Sequence, residues 1–298
     1  MTNKANGTLR YEALLFITAA IWGMGFVAQR LGMNSLGPFS YNAARFFVGS
    51  LALIPVLILK KTNMGMLKAA ALPGLVAGAV LFVASSFQQA GLVYTSAGKA
   101  GFITSLYVVL VPIAAIMLGK KTPLRTWIGA AFAFLGLYTL SFRDLNSINR
   151  GDILVFASAF FYTSHILILD KWTRKVEPIV LAFIQFTVTS VLCSINAAIF
   201  EAPEPKAFFN GILPVLYGGL FSIGIAYTLQ AIVQSKAHPA KASIILSLEA
   251  AFALIGGMLF LRERLTLNES LGCLLMLAGT FIAEWPARRK ELAQDYGS

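Results

Sequence analysis

The chain repeats itself once, and each copy carries five apolar runs long enough to cross a bilayer. An odd number of runs per copy makes the second copy enter the membrane from the opposite face. Sliding residues 14–50 onto 154–190 needs no gap at a shift of 140, and superposes Leu14 on Leu154, Phe16 on Phe156, Ala19 on Ala159, Pro38 on Pro178, Phe46 on Phe186, Val48 on Val188 and Ser50 on Ser190. At a shift of 142, Gln88 falls on Gln230, Lys99 on Lys241, Ala100 on Ala242, Ser105 on Ser247 and Leu106 on Leu248; at 143, Gly129 falls on Gly272 and Gly136 on Gly279. Identity is low, but the order is kept. An inverted pair of this kind is the architecture through which many secondary carriers alternate access, so transport is the first functional hypothesis.

With 57% hydrophobic and 12% charged residues over 298 positions, the chain departs from any ordinary soluble domain. Runs able to cover ~30 Å of hydrocarbon fall at 11–31, 38–59, 69–91, 98–118 and 123–142, and again at 152–170, 178–200, 212–233, 239–261 and 268–286. The expectation is an all-α membrane protein of ten transmembrane helices in two inverted five-helix repeats, residues 11–142 and 152–286, followed by a short polar cytoplasmic tail, 287–298, to which no function is assigned. The first run follows Arg10 and contains Ala19 and Ala20, as a signal peptide would, but nine further spans and its own counterpart argue against cleavage. The polar stretch 143–150 joins the halves and is too short for a domain linker. Gly74 and Gly78, at GxxxG spacing, are read as a close helix contact.

The net charge of +11 would suit a nucleic-acid binder if basic residues clustered on one water-facing surface. Here they lie in short loops. Sixteen of the 24 fall on one side, seven on the other, and Arg45 inside a span. The bias puts both termini in the cytoplasm, so the charge is a topology signal and no nucleic-acid partner is expected. Cys193 and Cys273 fall inside spans and read as small core residues, with neither a disulfide framework nor a metal site implied. No cofactor is expected.

Glu249 is the most informative single residue. Ten positions after Pro239, it lies roughly 15 Å along the ninth span, near the midplane. An ionisable group at that depth is costly and marks a functional site by default. It either binds a substrate amine, carries a coupling proton, or hydrogen-bonds a neighbouring helix purely to hold the bundle. Arg45, about 10 Å below the outer surface by the same rise, could pair with a substrate carboxylate or with Glu249, or tie helices together through carbonyls. Its repeat counterpart is Gln185, so the site is not symmetric in charge. Lys99 and Lys241 begin the fourth and ninth spans. Anion contact is one reading, and helix-end anchoring is preferred.

Polar and aromatic residues recur on single faces: Trp22 with Gly25 and Gln29, Tyr227 with Gln230 and Gln234, Ser85 with Gln88 and Gln89, and Ser158 with Tyr162 and His165. Together they suit a cavity that binds an organic solute by stacking and hydrogen bonds. Taken singly each reads as structural, His165 as a core histidine. What raises the group is shared depth and the repeat pairing of Trp22 with Tyr162 and of Gln88 with Gln230.

In these residues the chain also resembles the EamA-type transporters of the drug/metabolite transporter superfamily, over about residues 14–285. The likeness rests on Ile21-Trp22-Gly23, Ala44-Arg45-Phe46, Tyr94-Thr95-Ser96-Ala97 and Ser105-Leu106 through Pro112. In the second half it rests on Ser247-Leu248-Glu249, Leu261-Arg262-Glu263-Arg264-Leu265 and Gly272 through Gly279. The resemblance implies a ten-helix carrier of the cytoplasmic membrane, often an exporter of amino acids or other small metabolites, with a central cavity between repeats. Two positions depart from the family pattern. The usual Leu-Glu-Pro is here Leu248-Glu249-Ala250, and the usual Gly-Glu-Arg after the fourth span is Gly119-Lys120-Lys121. The first bears on a helix bend and the second on any role of that loop glutamate.

The reading that follows is a secondary transporter exporting small metabolites such as amino acids by alternating access, with proton coupling through Glu249 as a hypothesis. No G-x-x-x-x-G-K-[ST] motif supports direct ATP drive. An importer of a vitamin-like or phosphorylated solute is the alternative within transport, and Lys99 with Lys241 would serve it. An intramembrane enzyme would need converging nucleophile, acid and base or a metal cluster, for which two histidines and few buried carboxylates give little. An accessory membrane subunit would need no inverted repeat. Solute identity and oligomeric state are not encoded in any motif found.

Overall fold

The computed structural model of the chain describes residues 2–120, 122–141, 149–261 and 267–284. The 287–298 tail and the Arg262-Glu263-Arg264-Leu265 motif lie outside the described residues, as does most of the 143–150 connection. Within the described residues the secondary structure is helical, without strands. In chain order the α-helices are α1 (Thr2–Gly32), α2 (Pro38–Leu59), α3 (Met64–Leu92), α4 (Ala97–Thr104), α5 (Tyr107–Met117), α6 (Leu124–Ser141), α7 (Arg150–Trp172) and α8 (Pro178–Phe200). They continue with α9 (Pro205–Asn210), α10 (Ile212–Leu216), α11 (Thr228–Gln234), α12 (Pro239–Leu246), α13 (Glu249–Leu261) and α14 (Leu267–Glu284), and a π-helical stretch, Tyr217–Tyr227, joins α10 to α11.

Local chemistry sets the helix starts. Proline opens α2, α8 and α12, where its missing N–H costs no intrahelical bond. The Asn63 side chain caps α3 by accepting from the Met66 N–H at 3.0 Å, and Ser96 caps α4 by accepting from the Lys99 N–H at 3.2 Å. Asn149 and Asp152 form a reciprocal capping box at the start of α7.

Eight helical runs among the described residues are long and apolar enough to cross a membrane, so the chain is a multi-pass membrane protein. They cover eight of the ten expected spans. The other two correspond to α6 and α14, each 18 residues long, whose described apolar parts fall short of the same measure. Two of the eight runs differ from continuous α-helices at related places. Between α4 and α5, Leu106 N–H donates to Ile103 O and Val108 N–H to Ser105 O; between α12 and α13, Leu248 N–H donates to Ile245 O and Ala250 N–H to Ser247 O. Each is a tightened turn of i to i−3 bonds, and the two fall at the matched Ser-Leu pairs.

Two pairs of helices related by the repeat, α2 with α8 and α6 with α14, pack against each other antiparallel. Between α2 and α8, Ser190 donates to Ala43 O at 3.0 Å and the rings of Phe46 and Phe186 lie 6.2 Å apart. Between α6 and α14, a Cβ built at Gly129 would lie 2.6 Å from Gly279 O, and one at Gly136 2.5 Å from Gly272 O. The facing pairs, 129 with 279 and 136 with 272, exchange into each other under the sequence repeat, as a two-fold axis between the helices requires. Here the glycines are needed because backbones touch. The GxxxG pair Gly74 and Gly78 likewise packs on Ile184 and Val188 of α8. Around the centre lie two groups: α3, α4, α5 and α7 on one side, and α1, the π-helical stretch, α11, α12 and α13 on the other.

Candidate functional site

Where those two groups meet, fourteen side chains enclose a cavity of about 30 Å³, measured as the space a water's centre can occupy. That is room for about two waters, far below the ~300 Å³ or more of a typical ligand pocket. A space this small does not hold an amino-acid-sized solute, so a solute occupies the site only if helices or side chains move apart.

The helices deliver the lining by their own periodicity. Trp22, Phe26 and Gln29 share one face of α1, Tyr162, His165 and Ile166 one face of α7. Arg45 comes from α2, Gln88 from α3, Thr104 and Tyr107 from either side of the α4–α5 interruption, Ser222 and Tyr227 from the π-helical stretch, Gln230 from α11 and Glu249 from the start of α13. All eight residues expected to meet solute, Trp22, Arg45, Gln88, Tyr162, His165, Tyr227, Gln230 and Glu249, line this one cavity. Lys99 and Lys241 do not. Lys99 is buried and ion-paired with Asp152 at 2.8 Å, whose other oxygen accepts from the Thr95 hydroxyl at 2.7 Å; Lys241 is half-buried in the first turn of α12.

Glu249 is 4% exposed. Its Oε1 accepts from the Tyr107 hydroxyl at 2.9 Å and from Ser105 Oγ at 3.3 Å. Ser105 Oγ also lies 3.4 Å from Ser247 O, so the two interruptions touch. Tyr107 and Glu249 are 142 positions apart, the shift that superposes these stretches; they are repeat equivalents that hydrogen-bond each other. Among the described residues no basic side chain is within ion-pair distance of Glu249, and Arg45 does not pair with it. Arg45, 2% exposed, donates through Nε to Asn42 Oδ1 at 2.9 Å, and its guanidinium lies 5.5 and 5.2 Å from the ring centres of Tyr41 and Phe46. Asn42 is in turn held by donating to Ser85 O at 3.0 Å.

The aromatic wall is Trp22 against Tyr227, ring centres 4.5 Å apart, with His165 edge-on to Tyr227 at 5.9 Å. Trp22 Nε1 donates to Ser222 O at 3.2 Å, fixing the indole against the π-helical stretch. Tyr162 donates to Gln88 Oε1 at 3.0 Å, and Gln88 Nε2 to Thr104 Oγ1 at 3.1 Å. His165 Nε2 meets Gln185 Oε1 at 2.9 Å, while among the described residues its Nδ1 has no hydrogen-bond partner, nor do Gln29 Oε1 and Gln230 Oε1. Chemically the cavity offers a cation at Arg45, a carboxyl at Glu249, stacking faces and unused amide acceptors. Phe26, Thr104, Tyr107, Ile166 and Ser222 complete the lining beyond the expected set, with Gln29 drawn from the same α1 face as Trp22.

The sequence profile of the EamA-like transporter family matches residues 9–142 and 149–285. Among similar proteins, one described as an uncharacterized transporter from Archaeoglobus fulgidus is 34% identical over 269 residues, covering 90% of this chain and 83% of that one. The uncharacterized transporter YoaV of Bacillus subtilis is 22% identical over 282 residues, covering 91% of this chain and 96% of its own. A solved crystal structure superposes with a TM-score of 0.77 at 18% identity, over 94% of this chain and 99% of that one. At that identity the likeness is one of fold.

Proposed function

The chain belongs to the EamA-like transporter family, and from that premise we propose that it is a secondary carrier exporting small metabolites such as amino acids across the cytoplasmic membrane. In this reading ten helices span the bilayer in two inverted repeats, 11–142 and 152–286, with both termini in the cytoplasm, and the two helix groups rock about the central cavity. The observation that carries the solute class is the presence of opposite charges, unpaired with each other, in one small cavity: Arg45 suits a carboxylate, and Glu249 an ammonium or a coupling proton. Trp22 and Tyr227 suit an apolar or aromatic side chain by stacking. Bringing both charged groups into a site this small is costly unless a solute or proton compensates them in turn. The alternative, an importer of a vitamin-like or phosphorylated solute, draws on Lys99 and Lys241, which are not among the residues lining the cavity.

The test is counterflow. Purified protein in liposomes preloaded with pooled unlabelled amino acids is challenged outside with isotope-labelled counterparts. Accumulation of one class, lost in Glu249→Gln and Arg45→Gln, is the expected result. No accumulation from folded protein overturns the solute class, and normal exchange by both variants removes the two residues from the site.

A further inference from the structure

We propose that Tyr107 is the positioning residue of the transport site: its hydroxyl holds one oxygen of the Glu249 carboxyl so that the other faces the cavity for the solute. The inference rests on the reading of Glu249 as the group that takes the solute's ammonium or the coupling proton.

Four observations carry it. Tyr107 is 3% exposed and its hydroxyl donates to Glu249 Oε1 at 2.9 Å. Ser105 Oγ, whose one proton is shared with Ser247 O at 3.4 Å, approaches the same oxygen at 3.3 Å, whereas Oε2 makes no hydrogen bond among the described residues; the neutral hydroxyls thus converge on one oxygen and leave its twin open. Tyr107 opens α5 and Glu249 opens α13, each directly after a tightened Ser-Leu turn, so the direction of both side chains is set by the backbone irregularity. Lastly, the two residues sit at equivalent places in the two repeats and meet across the boundary between the helix groups.

Two equivalent positions that touch across a two-fold axis would, if identical, present like to like. Two carboxyls would repel when charged, and two phenols would hold no charge. One donor against one acceptor is the arrangement that orients a carboxyl without neutralising it. A phenol is a weaker partner for a carboxylate than a cation would be, so an arriving ammonium finds Glu249 placed but not already paired. Because the bond joins α5 to α13, Glu249 is oriented while the groups are closed together and released when they part. Presentation of the binding oxygen is thereby tied to the conformational cycle.

The experiment compares wild type with Tyr107→Phe, Ser105→Ala and Glu249→Gln in liposome counterflow of the labelled amino-acid pool, and by infrared spectroscopy of the purified proteins without solute. Tyr107→Phe is expected to raise the half-saturating concentration about tenfold, the loss of a hydrogen bond to a charged group, with the maximal exchange rate within about twofold. Ser105→Ala should move it in the same direction and by less. A carboxyl band absent in Glu249→Gln should shift in Tyr107→Phe, a change that a merely space-filling tyrosine would not cause. An unmoved band together with unchanged half-saturation in Tyr107→Phe overturns the proposal while leaving the reading of Glu249 intact. Normal exchange in Glu249→Gln overturns that reading instead. Should Tyr107→Phe fail to fold, Ser105→Ala decides: an unshifted band and unaltered half-saturation there count against two-donor positioning. The infrared readout needs no transported solute: where the amino-acid pool is not exchanged, an unmoved band in Tyr107→Phe by itself overturns the proposal.

Discussion

Arg45 is the residue whose surroundings say most about its use. A buried guanidinium has five N–H donors to satisfy; one is spent on Asn42, and the ring faces of Tyr41 and Phe46 take part of its charge. Were it a structural tie, helix carbonyls or a carboxylate would be expected around it, and none is within bonding distance among the described residues. Arg45→Gln is therefore expected to leave folding near wild type while weakening solute by about 1.5–3 kcal/mol, or roughly ten- to a hundredfold in half-saturation. Thermal melting in detergent beside the counterflow titration separates the two effects. A large drop in melting temperature with affinity unchanged would make Arg45 a scaffold residue. His165 supplies a contrast at the same scale. Its Nε2 is held by Gln185, the repeat counterpart of Arg45, so the two halves fill one location with a neutral pair and with a cation. Gln185→Leu should free His165 and disturb the Tyr227 ring it abuts, lowering exchange several-fold without abolishing it, as initial rates would read.

The elements that matter most are the ones where a plain α-helix fails. The turns at Ser105-Leu106 and Ser247-Leu248 aim Tyr107 and Glu249 at each other, and the π-helical stretch, wider than an α-helix, brings Ser222 and Tyr227 to the cavity. At the opposite pole the α6–α14 crossing is regular and tight. Gly136→Leu would drive a side chain into the Gly272 backbone, and at least about 1–3 kcal/mol of stability should be lost to overpacking, visible as a lower melting temperature; an unchanged melt would mean that this crossing carries little of the stability. The sequence made eight of the ten expected spans, the two-repeat architecture and the eight cavity-lining residues first named legible, because membrane length, a constant shift and polar atoms at midplane depth leave plain marks. It hid the interruptions. Neither Ser-Leu pair contains glycine or proline, and in a run that is apolar all round, helical periodicity has nothing to modulate. Tyr107 escaped for a related reason: the repeat was recognised through identical residues such as Gln88 and Gln230, whereas Tyr107 and Glu249 are chemically unlike although the same shift joins them.

For the whole molecule, the two faces are closed by the same device used twice. At the end of α1, Arg30 donates to Leu92 O of α3 at 3.0 Å, while Gln89 of α3 approaches Gln29 O of α1 at 3.4 Å. On the opposite face Arg174, just past α7, donates to Ala237 O at 3.0 Å, and Gln234 of α11 approaches Ile166 O of α7 at 3.4 Å. Each arginine thus meets a carbonyl where a helix of the other group has just ended, which the helix dipole favours. Asp170 binds both Arg174, at 3.1 Å, and Lys120; all three belong to one helix group, so these pairs position Arg174 without themselves bridging the groups. Burial, and secondarily the neighbouring Arg174, pull the Lys120 ammonium below the ordinary lysine value. If these two arginine bonds act as latches on the small cavity, removing one should bias opening toward its own face. With Cys193 and Cys273 replaced and Ser222→Cys as reporter, Arg30→Ala should raise labelling by an impermeant thiol reagent from the Arg30 face. The rise should be on the order of fivefold, as ~1 kcal/mol for a net hydrogen bond gives. Arg174→Ala should do so from the other face. Labelling that rises from the same face in both variants would mean that the arginines are surface anchors and that closure is held elsewhere, in the apolar contacts between the two helix groups.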